Sequence, residues 1–153
     1  MAHVSVLLNE VLDHLDLKKG QCIVDGTLGR GGHAEKILER ITPGGRLIGL
    51  DRDPEAVREV SAKFEKYGKS AVVVHRDFRE IAQALTQLGI QAVDGIFLDL
   101  GVSSPQLDDA GRGFSFQQDG PLDMRMDPGS ALTAEEIVND YPPEKIRQIL
   151  WDL

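Results

Sequence analysis

Nine residues, Asp25-Gly26-Thr27-Leu28-Gly29-Arg30-Gly31-Gly32-His33, set a carboxylate before four glycines and a histidine. Glycines there permit close backbone approach and positive φ. A helix starting near His33 would aim its free amides at a ligand lying on the turn. Farther along come Asp51 and the run Asp99-Leu100-Gly101-Val102-Ser103-Ser104-Pro105-Gln106-Leu107-Asp108. Each of the three segments falls where an apolar strand should end. Together they would line the edge of an open α/β sheet at which ligands bind.

The spacing narrows the ligand. A pyrophosphate turn reads G-x-G-x-x-G, whereas this one reads G-x-x-G-x-G-G after Asp25. A carboxylate in that place repels phosphate but can hydrogen-bond an ammonium group. S-adenosylmethionine has an amino-acid tail and no phosphate. Asp51 suits a ribose diol, which offers two hydroxyl donors; read alone it serves equally as a loop or capping aspartate. Phe78 is either an adenine neighbour or a core phenylalanine.

The elements that must position these residues follow from the hydrophobic pattern. Strands are predicted at Gln21 to Asp25, Arg46 to Asp51, Ser70 to His75 and Val93 to Leu100. Helices are predicted from Val6 to Leu15, capped by Ser5, and from about His33 to Ile41. Another runs from Pro54 to about Tyr67, with Asp53 as cap, and a fourth from Arg79 to Leu88. Regular alternation with continuous apolar strands implies a parallel sheet covered on both faces. Residues 101–131 carry five glycines, three prolines and no periodicity, the mark of a functional loop or of disorder. Thr133-Ala134-Glu135-Glu136 fits a capping box, and helical spacing resumes from Glu144 to Leu153.

Bulk properties fit one soluble domain of 153 residues, 41% hydrophobic and 27% charged. The net charge of −8 argues against a generally basic nucleic-acid binder. A local cluster drawn from Arg30, Arg76, Arg79, Arg112 and Arg125 remains compatible with it, as does ordinary surface charge. Cys22 is alone, which fits a reducing, cytoplasmic setting. No membrane-length apolar run is present, and one cysteine with four scattered histidines gives no metal-ligand spacing.

The three segments above, Asp51-Arg52-Asp53-Pro54, Arg112-Gly113-Phe114-Ser115-Phe116 and Gly120-Pro121-Leu122-Asp123-Met124-Arg125-Met126-Asp127 closely resemble the bacterial 16S rRNA cytosine-N4 methyltransferases, the MraW/RsmH family. The likeness runs from His3 to the last residue. It implies a Rossmann-like class I methyltransferase fold using S-adenosyl-L-methionine. By the resemblance Gly31, Gly32, His33, Asp51, Phe78, Asp99 and Gln106 contact the cofactor, and Asp99 is also the candidate catalytic residue. The implied partner is 16S rRNA in the small ribosomal subunit, and a homodimer is allowed.

Asp99 stands where amino-methyltransferases carry a D/N-P-P-aromatic loop, but here the sequence is Asp-Leu-Gly-Val. The base-stacking aromatic is therefore sought in Phe114 or Phe116. Residues 1–100 are expected to bind cofactor, and 101–153 to form the polar loop and the start of a helical substrate-recognition insertion. The resemblance implies a protein about twice as long, so the chain is read as an N-terminal half. Such a piece is expected to be association-prone and unable to methylate RNA by itself. The alternatives are an inactive fragment that retains at most cofactor binding and, less favoured, a nicotinamide-dependent oxidoreductase.

Overall fold

A computed structural model describes residues 5–152. The chain divides into two compact units, Met1–Leu100 and Gly101–Leu153. His3 and Leu153 lie outside the described residues.

The first unit is built on a four-stranded parallel sheet of β1 (Cys22–Asp25), β2 (Arg46–Asp51), β3 (Ala71–His75) and β4 (Gly95–Phe97), in the order β3-β2-β1-β4. In β1 successive residues face opposite ways, as the period of two in a strand demands. Ile23 packs on the face covered by α1 (Leu8–His14), α2 (Gly32–Ile41) and α3 (Pro54–Phe64). Val24 packs with Ile48, Leu50 and Ala84, the last from α4 (Ile81–Gln87), on the other face. Ala34, Ile37, Leu38 and Ile41 recur at helical spacing on α2 and are fully buried. The parallel sheet expected from alternation is therefore present with helices on both faces, and with it the Rossmann-like fold that the resemblance implies.

Several boundaries move. The Asp53 side chain caps α3 by accepting the Glu55 N–H at 3.0 Å, with Pro54 at the first helical position. The α-helix ends at Phe64, and a 3₁₀ segment continues to Ser70. Ser5 does not cap α1. That helix begins at Leu8 after Leu7, whose φ is 51°, and no side chain caps it.

Strand β4 is three residues long rather than eight. Its partner β1 has only four residues, so pairing runs from Ile23 with Gly95 to Asp25 with Phe97. Before it, Asp94 Oδ2 accepts the Cys22 N–H at 2.7 Å. Beyond it, β1 has already turned away at Gly26. The Cys22 residue of β1 is half-buried, and burial pushes its thiol up.

Among the described residues the second unit holds three short α-helices, α5 (Ser104–Asp108), α6 (Ala134–Asp140) and α7 (Pro143–Trp151). Helix α5 falls inside the stretch read as irregular. Its five residues are too few for a periodic signal, but Ser103 and Gln106 form a capping box around it. The Thr133–Glu136 box opens α6 as expected. Phe114 is buried, whereas Phe116 is fully exposed.

Removing apolar volume from the α2 face should cost far more than removing it from the loop. Ile37→Ala should lower unfolding free energy by about 2–5 kcal/mol. Phe116→Ala should change it by less than about 0.5 kcal/mol. Urea denaturation followed by circular dichroism measures both.

Candidate functional site

The parallel arrangement brings the C-terminal ends of β1 and β2 and the segment leaving β4 to one edge. Asp25 ends β1, Asp51 ends β2 and Asp99 lies two residues past β4. The turn after β1 is held by these acids. Asp51 Oδ2 accepts the Gly29 N–H at 2.7 Å, and its Oδ1 accepts the Asp53 N–H at 2.8 Å. The Leu28 N–H reaches the Leu50 carbonyl at 2.9 Å, and the Gly26 N–H reaches the Phe97 carbonyl at 3.0 Å. The turn is thus stitched to β2 on one side and β4 on the other.

Two glycines are there for space. Gly31 caps α2 with φ 71°, and a Cβ on it would stand 3.0 Å from Phe64 Cζ and 3.1 Å from Val60 Cγ1. A Cβ on Gly32 would run into the Ser5 hydroxyl. The segment before α1 therefore lies across the start of α2, a role the sequence pattern did not signal. The same segment fixes His33. Its Nε2 lies 2.9 Å from the Val6 carbonyl. A carbonyl only accepts, so Nε2 carries the proton. Nδ1 then faces Asp99 Oδ2 at 3.9 Å, and the ring leans on Phe97 with centroids 4.8 Å apart.

Asp25 is 1% exposed. Burial pushes its carboxyl up to about 7, and the charges of Asp51 and Asp99 push the same way; the hydrogen bonds from Thr27 oppose them. The Asp99 side chain is about half exposed. Phe78 opens the 3₁₀ turn after β3, and its Cβ lies 3.0 Å from where a Cβ on Gly26 would stand. Gly31, Gly32, His33, Asp51, Phe78 and Asp99 therefore all surround one turn of the first unit. Gln106 belongs to the second unit, where it is buried and its Oε1 accepts the Ser103 N–H at 2.9 Å.

The five arginines considered for nucleic-acid contact all have internal partners. Arg30 pairs with Glu59, and Arg76 with Glu80 at 2.8 Å. Arg79 grips Asp77 through two nitrogens, each at 2.9 Å. Arg112 donates to the Met126 carbonyl at 2.7 Å, and Arg125 to Asp123 at 2.7 Å. Among the described residues no cluster of His, Cys, Asp and Glu is placed to hold a metal ion. No described helix is long and apolar enough to cross a membrane.

The MraW methylase family model matches residues 1–153. The chain belongs to the MraW methylase family. It is similar to the ribosomal RNA small subunit methyltransferase H of Carboxydothermus hydrogenoformans, 48% identical over 99% of the chain and 48% of that protein. The protein of the same name from Geotalea uraniireducens is 49% identical over 98% of the chain and 48% of its own length. This family member thus spans about half the length of the curated relatives it matches. Its fold is similar to a solved protein-L-isoaspartate O-methyltransferase at a TM-score of 0.54 and 17% identity, over 63% of the chain and 29% of that structure.

The raised Asp25 carboxyl gives a signed pH dependence. The folded chain keeps a proton that the unfolded chain releases between the ordinary carboxylate value of 3.8 and about 7. Folding stability from this group is therefore full below that window and falls as pH rises through it. Asp25→Asn keeps the acceptor for Thr27 and removes the titration. Urea unfolding at pH 5, 7 and 8.5 should show the variant gaining stability relative to wild type at each step upward.

Proposed function

We propose that this chain is the cofactor-binding half of an S-adenosyl-L-methionine-dependent methyltransferase that methylates N4 of a cytidine in 16S rRNA of the small ribosomal subunit, in the cytoplasm. Membership of the MraW methylase family and the names of the two relatives support the reaction class and the RNA substrate. The observation that carries the cofactor reading is the convergence of Asp25, Asp51 and Asp99 on the glycine turn.

Three carboxylates around one turn favour a cation. A dinucleotide would bring a pyrophosphate, with its negative charge, to the same edge. S-adenosylmethionine carries a sulfonium and an ammonium group and no phosphate, and supplies an electrophilic methyl group when bound. The positive end of the α2 dipole would favour its carboxylate. Asp51 Oδ2 holds the turn and Oδ1 the start of α3, and each has a second lone pair for a ribose hydroxyl. Phe78 and Gly26 form an apolar wall suited to the adenine ring.

The cytosine amino nitrogen is a weak nucleophile, because its lone pair is delocalised into the ring. Asp99 is exposed enough to reach a ligand. By accepting the amino N–H protons it would localise that lone pair towards the methyl donor and then take the proton released on transfer. The target base must be unpaired or flipped to present its amino group. In the second unit Phe116 is exposed where Phe114 is buried.

Calorimetric titration should show saturable binding of S-adenosylmethionine. Asp51→Ala should weaken it roughly ten- to a hundred-fold, the scale of a lost charge-assisted hydrogen bond. NADH binding with no response to S-adenosylmethionine would overturn the cofactor reading. In the enzyme extended to the length of its relatives, Asp99→Ala should slow single-turnover methyl transfer to small ribosomal subunits even at saturating cofactor. An unchanged rate would remove Asp99 from the chemistry.

A further inference from the structure

We propose that Thr27 is the residue that positions Asp99, by holding the Asp99 backbone against the buried carboxyl of Asp25. The Thr27 N–H donates to Asp25 Oδ1 at 3.1 Å, and the Thr27 hydroxyl beside it favours the ionised form of the same carboxyl. The hydroxyl oxygen in turn accepts the Asp99 N–H at 2.6 Å. This bond joins residues 72 positions apart in the chain. It takes up the strand pairing that β4 loses when β1 ends at Asp25. Threonine does this with one atom, because a hydroxyl donates once and accepts twice.

The arrangement couples the Asp99 backbone to the state of Asp25. A hydroxyl that donates to an ionised carboxylate is more polarised, and so a better acceptor, than one beside a neutral acid. Asp51 comes from β2 and Asp99 from beyond β4, and both favour the protonated form of Asp25. His33 on α2 faces Asp99 through Nδ1. Leu98 and Phe78 close the apolar side around Gly26. Above neutral pH Asp25 ionises, the Thr27 hydroxyl commits its hydrogen to it, and the hold on Asp99 tightens. A cationic ligand at the turn would act in the same direction. The purpose assigned to this positioning rests on the reading of Asp99 as the group that meets the substrate amine. The bond itself does not.

The test is amide hydrogen exchange at Asp99 in the ligand-free chain, read by NMR as protection factors between pH 5.5 and 8.5. Protection factors remove the intrinsic pH dependence of exchange. The wild-type value should rise through neutral pH. Thr27→Val should lower it roughly ten-fold, the scale of one hydrogen bond, and flatten its pH dependence. Thr27→Ser should restore both.

Asp25→Asn covers the case in which Thr27→Val does not fold. It should hold the Asp99 amide at a protection that no longer changes with pH. Wild-type behaviour in Thr27→Val, failure of Thr27→Ser to restore it, or a persistent pH dependence in Asp25→Asn would each overturn the proposal. Failure of S-adenosylmethionine to bind, with the amide behaving as stated, would count against the cofactor reading alone.

Discussion

The site depends on a carboxyl group taken out of water at the end of a central strand. Strand β1 is paired on both sides, with β2 and with β4. Its last residue, Asp25, therefore has no solvent-facing flank. Parallel strands end at the same edge, so Asp51 arrives from one neighbour and Asp99 from the other. Three acids in one place cannot all ionise cheaply when one of them is desolvated. The most buried one keeps its proton to about neutrality. Such an edge is at rest when a positive ligand lies on it.

The glycines make that edge accessible. Wherever the turn passes a neighbouring element, a Cβ would collide with it: Leu98 at Gly26, Phe64 and Val60 at Gly31, Ser5 at Gly32. The turn is consequently pressed against β4, α3 and the segment before α1 at once. The packing is matched by hydrogen bonds: the amides of Gly26, Leu28, Gly29 and Gly31 all donate to partners within the protein. Gly26 and Gly32 supply space for the backbone, and Gly29 and Gly31 also supply the positive φ the turn requires.

The Rossmann-like alternation was legible because each strand of the first unit is a short apolar run and each helix carries a full stripe. The Asp53–Pro54 helix start and the Thr133 box were legible from local capping chemistry. The length of β4 was not. An apolar run reads as strand as far as it lasts, but pairing stops where the partner turns away, and β1 has only four residues. Helix α5 was too short to show a period. The convergence of Asp25, Asp51 and Asp99 could be read from strand ends, whereas the Thr27 bridge could not. It joins a turn to a loop 72 residues later through one hydroxyl, and no periodicity encodes such a contact. The laying of Ser5 and Val6 over His33 was missed for the same reason.

A cation received at this acidic edge would be reported by the proton on Asp25. Calorimetry of S-adenosylmethionine binding at pH 7, repeated in buffers of different ionisation enthalpy, counts the protons exchanged. Placing positive charge beside the half-protonated Asp25 should expel part of its proton. Net proton release is expected with the wild-type chain and markedly less with Asp25→Asn. Proton uptake, or equal release from the two proteins, would contradict it.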